Sequence, residues 1–365
     1  MYRNVIILIL FAFVVLAVVW LGHLPGKGPT DIAPAALQPV RPSQEGEFRG
    51  ICLQLHGGAS DIPYEKFITE IARTGANTLC LVVHGYQENT NSTSIFIDTR
   101  KTPDDQRLGE LINHAHKKRL RVILMPIVLL AKRRGNEWRG KIKPDDWNKW
   151  WEDYNHFILH YARLGQASGV EVLSVGSELI STETQTDRWK GLIAAVRKIY
   201  TGRLTYSANW DHYEVPQFWG ELDIVGMTSY FTLAEGENPA IEDLLGAWAG
   251  IKRNILKWQK TVNRPILFTE VGWPNQVTAA EFPWNYYASP TKPDPLLQAN
   301  CFEAFFATWI NEKPVAGFLV WEWRNSLYQT TSPQKDTSYC PADKPAMKVI
   351  RKYFQMPTPQ QKAES

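Results

Sequence analysis

The 365-residue chain has only four cysteines, too few to staple a domain of this size as a disulfide scaffold. It has no H-E-x-x-H, C-x-x-C or P-loop pattern, so nothing in it asks for a metal or an organic cofactor, and none is expected. His114 and His116 stand two apart in a helical stretch and would point to different faces, a surface pair rather than a metal site. Charged residues make up 21% of the chain, and the net charge of +3 is spread without a long basic block. A surface that tracks phosphates needs clustered Lys and Arg, so nucleic acid is excluded as the main partner. Nothing asks for a second copy, and a monomer is expected. Cys52 and Cys80 lie inside apolar runs and read as buried free thiols, and no pairing with Cys301 or Cys340 follows from spacing.

Aromatic residues, in contrast, are abundant: 15 Trp, 14 Tyr and 15 Phe. An indole offers a flat apolar face and one N–H donor, which suits a sugar ring, although a large core uses the same residue. The N-terminus holds an uncharged run of 17 residues, Val5 to Leu21, behind Arg3. Its length and flanks fit a signal-anchor within residues 1–22, with a cleaved signal peptide as the alternative, since no A-x-A-like site follows. Residues 23–47 are Pro/Gly-rich without apolar periodicity and read as a linker. The domain beyond, residues 48–356, is then expected to be exported and tethered to a membrane. Residues 357–365 read as a frayed tail.

Eight short apolar runs follow: 49–55, 78–86, 121–130, 170–179, 203–210, 223–231, 265–273 and 316–323. Stretches with helical spacing separate them, as in YEKFITEIARTG and WNKWWEDYNHFILHYARLG. Strands alternating with helices imply parallel pairing, and eight such units in one domain predict a closed (β/α)₈ TIM barrel. The rival, a doubly wound sheet, would show a Gly-rich phosphate turn after its first strand, and LHGGAS is a faint imitation. Barrels place their chemistry at the C-terminal strand ends. Those ends carry His84, Glu178, Asn209 with Trp210, Tyr230, Glu270 with Trp273, and Trp321 with Glu322.

Two of these residues stand out. Glu270, in PILFTEVGW, sits in an apolar run, where a carboxylate is costly without a purpose. Glu178 ends the fourth run and Glu270 the seventh. Counting back by twos puts Phe268 and Ile266 on the face of Glu270, and Gly176, Ser174 and Val172 on that of Glu178. If those residues fill the barrel, both glutamates cap its mouth from opposite sides. Two carboxyl groups facing across a sugar are the minimal equipment for glycoside hydrolysis.

Colinear segments from Phe48 to Tyr353 also resemble the β-mannanases of glycoside hydrolase family 113, among clan A enzymes. They include HGYQENTNSTSIFID, TPDDQRLGELINHAHKKRLRVILMP, LSVGSEL, YSANWD, ELDIVGMTSYFTL, PILFTEVGW and GFLVWEW. The resemblance implies Glu178 as general acid/base and Glu270 as nucleophile of a retaining reaction on a β-linked polysaccharide. It also implies sugar contacts from Trp210 and Trp321. Tyr230 stands where a phenol would hydrogen-bond the nucleophile and keep it ionised, while burial raises the acid. Asn209, His84, Trp273, Trp138 and Arg139 are further substrate-binding candidates. Ser177 replaces the Asn that clan A enzymes place before the acid/base, and Met125-Pro126-Ile127 replaces Lys-Pro-His. Both leave the reaction type standing and the mannan substrate open to a β-glucan or a cell-envelope polysaccharide. A barrel that binds carbohydrate without cleaving it is the competing class.

Overall fold

A computed structural model describes residues 46–57, 62–288, 290–324, 332–333 and 335–357. The apolar run at 5–21, the linker up to residue 45 and the tail from 358 lie outside the described residues. Among those described, no helix is long and apolar enough to cross a membrane.

The eight expected strands are all present: β1 (Phe48–Gln54), β2 (Thr78–Gln87), β3 (Arg121–Leu130), β4 (Val172–Ser177), β5 (Arg203–Ala208), β6 (Ile224–Thr228), β7 (Ile266–Val271) and β8 (Val315–Val320). Each pairs in parallel with the next, and β8 returns to β1, closing the barrel. The helices are α1 (Tyr64–Ala72), α2 (Asp105–Lys117), α3 (Trp147–Ser168), α4 (Thr186–Arg197), α5 (Ile241–Val262), α6 (Pro295–Trp309) and α7 (Pro345–Phe354). Local chemistry sets their starts. Asp104, Asp146 and Asp294 accept from the first free backbone N–H groups of α2, α3 and α6, and Pro295 opens α6 where a missing N–H costs nothing.

Between β5 and β6 the chain makes only a 3₁₀ turn, Trp219–Glu221. Pro216 lacks the N–H that a helix there would need, and Phe218 and Trp219 instead pack on Trp189 and Tyr206.

Apolar packing forms two zones. Inside the barrel lie Cys52, Cys80, Val82, Ile123, Met125, Leu267 and Leu319. Between barrel and helices lies a shell with fully buried Trp150, Trp189, Trp248, Trp273 and Trp309. Much of the tryptophan is therefore core.

The counting by twos fails on β7, and on β4 it fails only past Val172, which lies inside the barrel as counted. Ile266 and Phe268 belong to the outer shell, where the Phe268 ring meets Phe305 and Trp309. Leu267 fills the barrel, and Thr269 Oγ1 meets Ser207 Oγ at 2.6 Å. Strict alternation after an inward Thr269 would send Glu270 outward. The register slips instead: β6–β7 pairing jumps from Met227↔Phe268 to Thr228↔Glu270, and β7–β8 from Phe268↔Phe318 to Val271↔Val320. On β4 the jump runs from Ser174↔Thr205 to Ser177↔Ser207, and a Cβ on Gly176 would strike Tyr154 and Trp189 on the helix side. Bulges re-aim side chains, and here they turn both carboxylates to the mouth.

Candidate active site

The C-terminal strand ends and their loops enclose a cavity of about 710 Å³, and Glu178 and Glu270 both line it. They are 6% and 3% exposed. Glu178 follows β4 with φ +52°, a left-handed conformation that costs a side-chain-bearing residue about 1–2 kcal/mol. Its neighbours hold it there. The Glu178 N–H donates to the Ser207 carbonyl at 2.8 Å, and the Leu179 N–H to the Tyr206 hydroxyl at 3.0 Å. The Tyr206 hydroxyl in turn donates to Glu183 Oε1 at 2.8 Å. Strain over-determined in this way concentrates at functional positions. On the β7 side, Gly272 lets the chain pass the Trp321 carbonyl, which any Cβ would meet at 2.4 Å.

The charges are arranged asymmetrically. Arg139 Nη2 donates to Glu178 Oε2 at 2.5 Å, and the Tyr230 hydroxyl donates to Glu270 Oε2 at 2.8 Å. Burial raises Glu178 above the usual carboxylate range, and Arg139 opposes it. Burial, joined by the charge of Glu178, pushes Glu270 up to about 8, against the pull of Arg139 and the Tyr230 bond. The Tyr230 bond exists as expected, and it opposes that rise.

Of the other candidates, Trp138, Asn209, Trp210, Tyr230, Arg139 and Trp321 line the cavity. Two do not. Trp273 is fully buried in the outer shell against Trp248, Phe302 and Phe305, because two residues beyond the outward-facing Val271 it turns to the helices as well. His84 lies beneath the floor, fully buried, bonded to Gln54 and stacked on His56. Ser177 is buried too; its hydroxyl has no hydrogen-bond partner among the described residues, and it does not line the cavity.

Sequence reasoning placed Glu322 at a strand end without giving it a role, and it missed several other cavity residues. Gln54 ends β1, and Glu322 follows β8 beside Trp321; both stand at strand ends, which was the available signal. Trp284, Tyr286 and Tyr287 come from the loop after β7, whose FPWNYY is aromatic without strand alternation. Trp284 stacks on Trp210 with centroids 5.6 Å apart and 13° between planes. Tyr339 joins the wall and donates its hydroxyl to the Pro283 carbonyl at 2.6 Å.

All four cysteines are buried and free. His114 meets Thr69 and His116 meets Glu171, separate partners as helical spacing requires. Among the described residues no group of three or more His, Cys, Asp or Glu side chains is placed to hold a metal ion.

The family model for Glycoside Hydrolase Family 113 matches residues 60–344. Among solved structures, a GH113 β-1,4-mannanase complex is 26% identical, with 86% of this chain and 100% of that chain covered at a TM-score of 0.74. The GH113 β-mannanase AaManA from Alicyclobacillus acidocaldarius, in complex with ManMIm, is 26% identical over 85% of this chain and 98% of that one, TM-score 0.76. A β-D-glucuronidase from Dictyoglomus thermophilum, 14% identical over 87% and 54% at TM-score 0.60, shares the fold alone. No curated protein gives a significant match.

Proposed function

The chain belongs to glycoside hydrolase family 113, and from that premise we propose that it is an endo-acting β-1,4-mannanase working with retention. The observation that carries this reading is the single cavity shared by two buried carboxylates from β4 and β7, one bonded to a cation and the other to a phenol.

In this reading Glu270 attacks the anomeric carbon, and Glu178 gives its proton to the departing oxygen. Glu178 then takes a proton from water, whose oxygen releases the glycosyl group from Glu270. The first step needs Glu178 protonated and Glu270 ionised. A bound substrate favours that arrangement: the glycosidic oxygen beside Glu178 favours a carboxylic acid there, and positive charge growing at the anomeric carbon favours an ionised Glu270. Arg139 leaves or loosens its bond to Glu178 as the leaving sugar takes that position. Trp210 and Trp321 offer apolar faces to sugar rings, and the Trp210–Trp284 stack extends that platform outward. The two β-mannanase structures support mannan as the polymer. Export and tethering through residues 5–21 belong to the same proposal and rest on that apolar run.

The test is incubation of the purified protein with β-1,4-mannan, β-glucan and cell-envelope polysaccharides, with assay of new reducing ends. Release from mannan with fragments of mixed length is expected. Binding of mannan with no release would leave a carbohydrate-binding barrel.

A further inference from the structure

Glu322 is a third carboxylate in the cavity wall, 4% exposed, two residues beyond β8. It accepts a hydrogen bond from Gln54 Nε2 at 2.5 Å, from the end of β1, where the barrel closes on itself. At its other end Gln54 Oε1 meets His84 Nε2 at 3.1 Å. A carboxylate only accepts, so the amide nitrogen must face Glu322 and the amide oxygen must face His84. An amide oxygen only accepts as well, so His84 donates through Nε2. Burial lowers His84 to about 3, and the ring stays neutral, locked against His56 at a centroid separation of 4.7 Å. The donor order therefore runs one way, from His84 to Gln54 to Glu322.

This chain ends beside the nucleophile. The charge of Glu322 acts on Glu270 and on Tyr339, both cavity residues. Trp321, its neighbour in sequence, shares the wall. Arg139 and Glu178 come instead from the β3 and β4 side. A carboxylate offers about four acceptor positions, so Glu322 can accept from a ligand hydroxyl beside the Gln54 bond, and the Gln54 amide nitrogen has a second hydrogen. An acceptor and a donor side by side match a hydroxyl, which both donates and accepts. An ammonium would leave the amide hydrogen unanswered, and a uronic acid would be repelled by the charge.

We propose that Glu322, held by Gln54 and His84, is a substrate-binding residue that accepts hydrogen bonds from hydroxyls of the neutral sugar unit seated against Glu270. The inference rests on the glycosidase reading above, and it names the chemistry that the unit must present: hydroxyl donors and no carboxylate.

Full-length wild type and Glu322→Gln are compared on manno-oligosaccharides and on analogues lacking one hydroxyl of the unit bound by Glu270. Loss of one charge-assisted bond is expected to lower kcat/KM roughly 10- to 100-fold. At least one deoxy analogue should cost the wild type a similar factor and cost Glu322→Gln little more, the coupling of a double-mutant cycle. An unchanged kcat/KM in Glu322→Gln, or deoxy losses equal in both proteins at every position, overturns the inference while leaving the mannanase reading intact. Should the wild type cleave nothing, calorimetric binding of mannohexaose decides: weaker binding by Glu322→Gln supports the inference, and equal binding overturns it. No binding by either protein removes the inference together with the mannan reading. If Glu322→Gln does not fold, Gln54→Met tests the same contact from β1, with the same two outcomes.

Discussion

Arg139 Nη2 lies 2.5 Å from Glu178 Oε2, so the cation at the barrel mouth is bonded to the β4 carboxylate and not to the one on β7. Arg139 also pulls on Glu270, and with it both titrations. The pair needs opposite protonation states for hydrolysis, and Arg139 favours ionisation of each. Replacing it with Gln should raise both carboxyl groups. Activity requires Glu270 ionised and Glu178 protonated, so both limbs of the pH profile of kcat/KM should move to higher pH. A shift of either limb to lower pH would contradict this.

Tyr230→Phe isolates the other partner. Its hydroxyl bond lowers Glu270, and hydrogen bonds to a charged group contribute about 1.5–3 kcal/mol. Without it Glu270 rises further, and the acidic limb alone should move up by roughly one to two pH units. An unmoved acidic limb would mean that Glu270 is not the ionising group.

Glu178→Gln removes the proton donor. A positioned general acid contributes roughly 10²- to 10⁴-fold, and kcat should fall by that range on natural mannan. Aryl mannosides with good leaving groups should lose far less, because their departure needs no proton. Equal losses on both substrates would argue against Glu178 as the acid.

Glu183 gives a stability test. Burial pushes it from 4.5 to about 8, so the folded state holds a proton that the unfolded chain releases. The folded state thus has its full advantage below about pH 4.5, and this is lost as pH rises towards 8. Denaturant unfolding should show stability declining across that window, and Glu183→Gln should make the decline shallower. A steeper decline in Glu183→Gln would reverse the sign of the account.

The barrel was legible in sequence because strands buried on both faces read as apolar runs, and β3 spans Arg121–Leu130 as those runs indicate. The two glutamates were legible as carboxylates ending the fourth and seventh runs. Their orientation was not: the slips at Ser174/Ser177 and Phe268/Val271 add residues that alternation cannot reveal. Trp273 resembles a site tryptophan in every sequence respect, yet parity buries it with α5 and α6. Gln54 and Glu322 are 268 residues apart and meet only because β8 closes on β1, a contact with no local signature. Trp284 and its tyrosine neighbours come from a loop, where no periodicity marks the inward face.

Covalent trapping tests the central claim most directly. The ring fluorine of 2-deoxy-2-fluoro-mannosyl fluoride slows both steps, while departure of the anomeric fluoride keeps the first the faster, so the nucleophile retains the sugar. Mass spectrometry of the digested protein should find one fluoromannosyl group, on the carboxylate of Glu270 in PILFTEVGW. A label on another residue, or hydrolysis of mannan that inverts the anomeric configuration with no label at all, would contradict the account.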